Sequence, residues 1–428
     1  MSTVRTTFGR VRGAALNDHT VFHAIPYAAN TTGSARFRAP IRAQKWDGVR
    51  DGTQPGPTVP APDRSFFGEL DMRPLVGPGW VRGDDYLTVT VRTPSTATAG
   101  LPVMVFVHGG GFVSGSSRAP VLNGTAFARD GVVFVSLNYR LGAPGWLRLP
   151  GAPDNRGLLD VLAALEWVQE NIAEFGGDPD NVTLFGESAG ATIVSAAAAT
   201  DRSGLFRRAI SQSGNPSGAF STAQADLITK AFKHDNPEEA SDEELLAAVP
   251  VGVDLTATGE EDPLHGMLPF SLVAGTETLP DQPANLSSTV DWMLGTNTDE
   301  GNLYVVPYNG TRDPHELTEG LFAKGTRAFV KARRAHHYEF AWRSQAFDGK
   351  LGAAHAVELP FVFDTAHLPG LRGPKALLGP TEPPQELTKH MHNTWIRFAE
   401  NGNPGWDRYP ATQRFSGGYD PDPAPGEA

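Results

Sequence analysis

Hydrophobic positions fall into two kinds of run along this chain. Short β-branched stretches, Val103–Val107, Val132–Leu137 and Val182–Phe185, are bounded by glycine or proline and predict buried strands. Between them the period changes. Leu158, Val161, Leu162, Leu165, Val168, Ile172 and Phe175 recur at spacings of three and four, which places them on one face of a helix from about Leu158 to Glu174. Gly176-Gly177-Asp178-Pro179 stops that helix. Small residues predict a second helix over Ala189–Ala199, and an amphipathic pattern a last one over Gln385–Glu400, closed by Asn401-Gly402-Asn403-Pro404-Gly405. Strand alternating with helix predicts an α/β fold around a mostly parallel sheet. The first hundred residues read differently. Turn clusters such as Gln54–Asp63 and Val76–Gly83 predict short strands and loops at the edge of that sheet. The acidic stretch Asp226–Asp262 predicts helices, with Ser241-Asp242-Glu243-Glu244 as a cap. No repeat or linker divides residues 1–428, so they read as one domain with a frayed tail from Ser416.

Composition narrows the function. The 47 glycines and 35 prolines imply many turns, while 40% apolar and 9% aromatic residues suffice for a large core. Acidic residues outnumber basic ones by 48 to 36, a net charge of −12, and such a surface repels phosphate backbones. No nucleic-acid partner is expected. The absence of cysteine excludes disulfides, thiolate metal sites and a cysteine nucleophile. Met1–Gly13 lacks the apolar core of a signal peptide, and no apolar run is long enough to span a bilayer. The expectation is a soluble cytoplasmic protein with no membrane partner; the sequons at Asn30, Asn123, Asn181, Asn285 and Asn309 then read as turn asparagines.

Chemistry is concentrated in two glycine motifs. Gly186-Glu187-Ser188-Ala189-Gly190 stands between a predicted strand and a predicted helix, where a sharp turn exposes a serine hydroxyl. Upstream, His108-Gly109-Gly110-Gly111-Phe112 follows the strand Val103–Val107, and its glycines can aim backbone N–H groups at a developing oxyanion. It does not complete a G-x-G-x-x-G dinucleotide turn, because Ser114 occupies the last glycine position. A serine nucleophile needs a base and an orienting carboxylate, which in this chain order follow it. The acid candidates are Glu300 and Asp299, directly after the apolar Trp292-Met293-Leu294, and the base candidate is His355. His315, His336, His337, His367, His390 and His392 read as surface or core histidines. His390 with His392, and His19 with His23, lack a carboxylate cluster, so no metal is expected. Phe112, Phe270 and Phe361 are candidates to line an acyl or alcohol pocket, with core as the preferred reading for each.

The stretch Asp154–Gly190 resembles the signature region of type-B carboxylesterases, an α/β-hydrolase group that includes bacterial p-nitrobenzyl esterases and the cholinesterases. His108–Phe112, Asn138-Tyr139-Arg140, Gln212-Ser213-Gly214, Asp299-Glu300-Gly301 and Glu358-Leu359-Pro360 resemble its other landmarks, in the same order, from about Thr7 to Gly405. The resemblance implies an α/β-hydrolase fold and a serine carboxylesterase that works through an acyl-enzyme on bulky or aromatic esters. It implies a small-molecule ester as partner and no cofactor. Ser188 is then the nucleophile, Glu300 the acid and His355 the base, with Gly110, Gly111 and Ala189 as oxyanion donors. Glu300 is preferred to Asp299 because the family uses the glutamate of its D-E-G motif, and Ser213 matches a serine beside the acid and histidine. The alternatives are a carbamate, amide or lactone hydrolase with the same triad, or a non-catalytic interaction protein on the same fold. Two departures stand out. Gly83-Asp84-Asp85-Tyr86-Leu87 lacks the family's usual cysteine, and the interval from Glu300 to His355 is short, which predicts a trimmed covering over the active site.

Overall fold

The computed structural model describes residues 2–200 and 202–418. A 12-stranded sheet forms its centre. Its strands are β1 (Ser2–Arg5), β2 (Arg10–Ala15), β3 (Thr20–Pro26), β4 (Val49–Asp51), β5 (Thr88–Thr93), β6 (Leu101–Val107), β7 (Val133–Leu137), β8 (Gly177–Glu187), β9 (Arg208–Gln212), β10 (Asp291–Asn297), β11 (His336–Phe340) and β12 (Thr412–Phe415). They lie in the order β1-β2-β3-β5-β7-β6-β8-β9-β10-β11-β12, with β4 beside β2. From β7 to β12 every neighbouring pair is parallel. The N-terminal strands β1, β2, β3 and β5 attach antiparallel along one side, as the turn-rich first hundred residues predict.

Alternation along the central strands divides the interior in two. Val103, Val105 and Val107 of β6 enter one apolar cluster, with Leu158, Leu162 and Leu165 of the helix α1 (Arg156–Asn171). Met104 and Phe106 enter the other, with Met391, Trp395 and Phe398 of the helix α4 (Gln385–Asn401). A period of two in the strands and one near four in the helices produces both layers. Between α1 and α4 in the chain lie the helices α2 (Ala189–Ala197) and α3 (Lys324–Arg333).

Three expectations need adjusting. The strand expected at Val182–Phe185 begins at Gly177, because Gly177 pairs with Leu101 before a register shift carries Val182 to Val103; the intervening residues stay outside the core. The first long helix continues as a 3-10 turn over Ile172–Phe175 instead of staying α-helical to Glu174. The acidic stretch is mostly loop, although Ser241 does form the expected capping box with Glu244 ahead of the helix Asp242–Ala247. Of the tail expected from Ser416, residues 419–428 lie outside the described residues.

Candidate active site

The C-terminal ends of the parallel strands carry the chemistry, the usual place for a site in such a sheet. At the end of β8 the chain reverses into α2 through Ser188, whose φ of 58° and ψ of −125° are strained for a residue with a side chain. Its N–H donates to the Gln212 carbonyl at 2.9 Å, which fixes the turn against β9. Helix and strand come so close that a Cβ on Gly190 would stand 2.1 Å from the Val107 carbonyl oxygen. Only glycine fits there.

The loop after β6 faces this elbow. Gly110, at φ 113°, adopts a conformation closed to ordinary side chains. Among the described residues, no hydrogen bond uses the N–H groups of Gly110 and Gly111. That of Ala189, at the first position of α2, has no partner within the helix. Gly110 and Gly111 line the cavity that Ser188 also lines, and Ala189 follows the serine directly, where the helix N-terminus adds its favourable dipole.

Glu300 follows β10 and is fully buried. Its Oε2 accepts from His355 Nδ1 at 2.6 Å, and its Oε1 accepts from Ser213 Oγ at 2.5 Å and from the Asn297 N–H at 2.7 Å. With a carboxylate on Nδ1, the neutral imidazole presents its lone pair at Nε2. The Phe322 ring stacks on the imidazole at 4.6 Å. Asp299 points elsewhere, binding the Arg343 guanidinium at 2.5 Å and the Ala353 N–H at 2.9 Å. The two acid candidates are thus separated by their partners.

Two further buried carboxylates, which stand within motifs of the sequence but are given no role there, complete the cluster. Glu358 accepts from Gln212 Nε2 at 3.1 Å and Asn297 Nδ2 at 2.8 Å. Glu187 Oε1 lies 3.0 Å from His355 Nε2, but it accepts no aligned hydrogen bond. No hydrogen bond joins Ser188 to His355 among the described residues, although both line one cavity of about 300 Å³. Burial pushes the Glu187 carboxyl up, and the charges of Glu358 and Glu300 push the same way against the opposing His355. Burial likewise raises Glu358, reinforced by Glu300. For His355, burial opposes the charged ring, but Glu187 and Glu300 outweigh it and hold the pKa above its ordinary value. The shifts of Glu187 and His355 pull against each other, since a protonated Glu187 no longer raises its neighbour. Glu187 Oε1, unlike the oxygens of Glu300 and Glu358, has no hydrogen-bond donor, so burial there favours its neutral form.

His108 lines the same cavity, its Nδ1 2.8 Å from the Gly109 carbonyl oxygen, whereas the histidines of β11 and α4 are engaged elsewhere. His336 and His337 lie within β11, and His392 binds the Val362 carbonyl at 2.7 Å. Phe270 and Phe361 are core, whereas Phe112 also lines a small cavity beside Ser188. Among the described residues no group of side chains could hold a metal ion, and no helix is long and apolar enough to cross a membrane.

The carboxylesterase family matches residues 1–322. The chain is 33% identical to the para-nitrobenzyl esterase of Bacillus subtilis, over 94% of this chain and 90% of that one. It is 31% identical to the phenmedipham hydrolase of Pseudarthrobacter oxydans, over 96% and 92%. A solved PNB esterase superposes with a TM-score of 0.83 at 31% identity, covering 97% of this chain and 96% of the other. A carboxylesterase of Geobacillus stearothermophilus gives 0.80 at 30% identity, with the same coverage.

Proposed function

This chain belongs to the carboxylesterase family, with an α/β-hydrolase fold, and from that we propose that Ser188, His355 and Glu300 are its catalytic triad. The protein is a serine carboxylesterase, and its substrates are small carboxylic esters, aromatic ones included. Phe67, Tyr304 and Tyr308 on the cavity wall suit an aromatic group. One continuous sheet supports reading 1–428 as a single catalytic domain.

In this reading Ser188 Oγ attacks the carbonyl carbon while His355 Nε2 takes its proton. The carbonyl oxygen becomes an oxyanion and accepts from the N–H groups of Gly110, Gly111 and Ala189. Collapse breaks the ester C–O bond, and His355 returns its proton to the departing alcohol. Water then attacks acyl-Ser188, giving its proton to His355, and the acid leaves as Ser188 recovers its hydrogen. Glu300 holds the ring in register throughout, steadied by Ser213 and Asn297.

The observation that carries this assignment is the chain of hydrogen bonds from Ser213 through Glu300 to His355, ending in the cavity that Ser188 enters. Ser188→Ala should lower kcat on p-nitrophenyl acetate by about 10⁴–10⁶-fold without changing the thermal transition much. A fluorophosphonate that labels wild type should leave this variant unlabelled. Labelling that persisted on another serine would overturn the assignment.

A further inference from the structure

Most of the cavity beside Ser188 is apolar, with Met72, Leu75, Leu122 and Leu268 among its walls. One cation interrupts it. Arg64 lines the same cavity, half-buried, in the loop ahead of the hairpin formed by Phe66–Phe67 and Leu70–Asp71. Among the described residues its guanidinium takes part in no side-chain hydrogen bond, no ion pair and no stacking over an aromatic face. Its neighbours explain why. Asp63 accepts from the Ser65 N–H and Oγ at 2.8 and 2.6 Å, Glu69 pairs with Lys375, and Asp71 grips Arg73 at 2.6 Å. Every acid of its own loop is engaged elsewhere.

The hairpin is also fixed in place. The Glu69 N–H donates to the Pro307 carbonyl at 3.0 Å, and the Phe67 ring meets Tyr304 and Tyr308 edge-on at 6.0 and 5.1 Å. Arg64 is therefore held at the cavity wall. Burial pushes its pKa below the usual guanidinium value, and the groups acting against that are the phenols of Tyr308 and Tyr304, with no carboxylate among them. Tyr308 is 52% exposed, which puts this end of the cavity at its mouth. An unpaired guanidinium is a fork of donors shaped for a carboxylate, and a partly desolvated one binds it strongly.

We propose that Arg64 is a specificity residue for esters bearing a carboxylate remote from the scissile bond, which it binds while Ser188 attacks the carbonyl. The proposal rests on the Ser188 reading above. On a molecule of net charge −12, Arg64 is the cation that can offset the repulsion an anionic ester meets as it enters this cavity. Removing Arg64 should therefore penalise anionic substrates selectively.

The test compares two matched pairs. 4-Nitrophenyl hydrogen adipate against 4-nitrophenyl hexanoate places the charge on the acyl half. 4-Carboxybenzyl acetate against 4-methylbenzyl acetate places it on the alcohol half. For each pair the ratio of kcat/KM, anionic over neutral, is measured in wild type, Arg64→Met and Arg64→Lys. In one pair the ratio should fall by about tenfold or more in Arg64→Met, chiefly through KM, and recover in part in Arg64→Lys. Neutral esters should change by no more than about twofold, which also shows that the variant folds. Unchanged ratios in both pairs, or an equal loss on charged and neutral esters, would overturn the proposal. Failure of the triad reading shows up separately, as neutral-ester turnover that survives Ser188→Ala.

Discussion

Glu187 and His355 stand 3.0 Å apart, and in the proposed triad the placement of protons between them sets the pH range of activity. His355 must be neutral to accept the Ser188 proton, so kcat/KM should fall as pH drops through the His355 pKa. That pKa is raised, so the charged ring persists to higher pH and the acid limb should lie above the ordinary 6.5. Glu187→Gln, a neutral isostere, should leave the limb in place if Glu187 already carries its proton. A limb that moved back towards 6.5 would assign a charge to Glu187 instead. These residues also mark the border of what the sequence discloses. Ser188 is legible because glycines bracket it between a strand and a helix. Glu300 and His355 are legible through chain order and neighbouring motifs. The roles of Glu187 and Glu358 are not, although both stand in motifs, and neither is that of Arg64, since a charged residue has no period that announces its surroundings. Only the packing of β8, β9 and β10 gives Glu358 its partners Gln212 and Asn297.

Elements near the site are tied together by buried ions. Arg140, in the loop after β7, and Asp160, on α1, are both completely shielded from solvent. The guanidinium binds Asp160 at 2.8 and 2.7 Å, and a third donor, Nη1, reaches the carbonyls of Arg36 and Arg38 at 3.0 and 2.6 Å. One ion pair thus joins a helix, a strand end and an N-terminal loop. Asp160→Asn keeps the shape but leaves Arg140 charged and unpaired, which should cost about 3–5 kcal/mol. Urea denaturation followed by fluorescence would measure it; a loss under about 1 kcal/mol would show that other groups hold the loop. The elements themselves differ in legibility. β6, β7 and α1 announce themselves through apolar periodicity. β11 does not, because His336-His337-Tyr338-Glu339-Phe340 carries no apolar run, and it becomes a strand only by docking against β10. Burial in that position pushes His337 down to about 4, so it sits neutral inside the sheet.

At the scale of the whole molecule, the α/β architecture was readable and the covering of the site was not. Part of the cavity wall comes from Arg64–Val76, far upstream, and part from Leu303–Tyr308, inside the shortened interval. A turn-rich sequence gives no sign of which loop will fold over which strand. The strand order has a further consequence, one of timing. β6, at the middle, must find partners from residues 133–137 and 177–187, and each parallel pairing waits for its crossover to form. Ser188 follows β8, Glu300 follows β10, and His355 follows β11 along the chain. Long-range parallel pairing of this kind is slow, and chains of this size pass through partly ordered intermediates. On dilution from urea, far-ultraviolet circular dichroism should recover before esterase activity does, because hydrolysis requires the last of these segments to arrive. Coincident recovery would instead mean that the sheet closes in one step, with no interval in which a largely ordered chain is still without its imidazole.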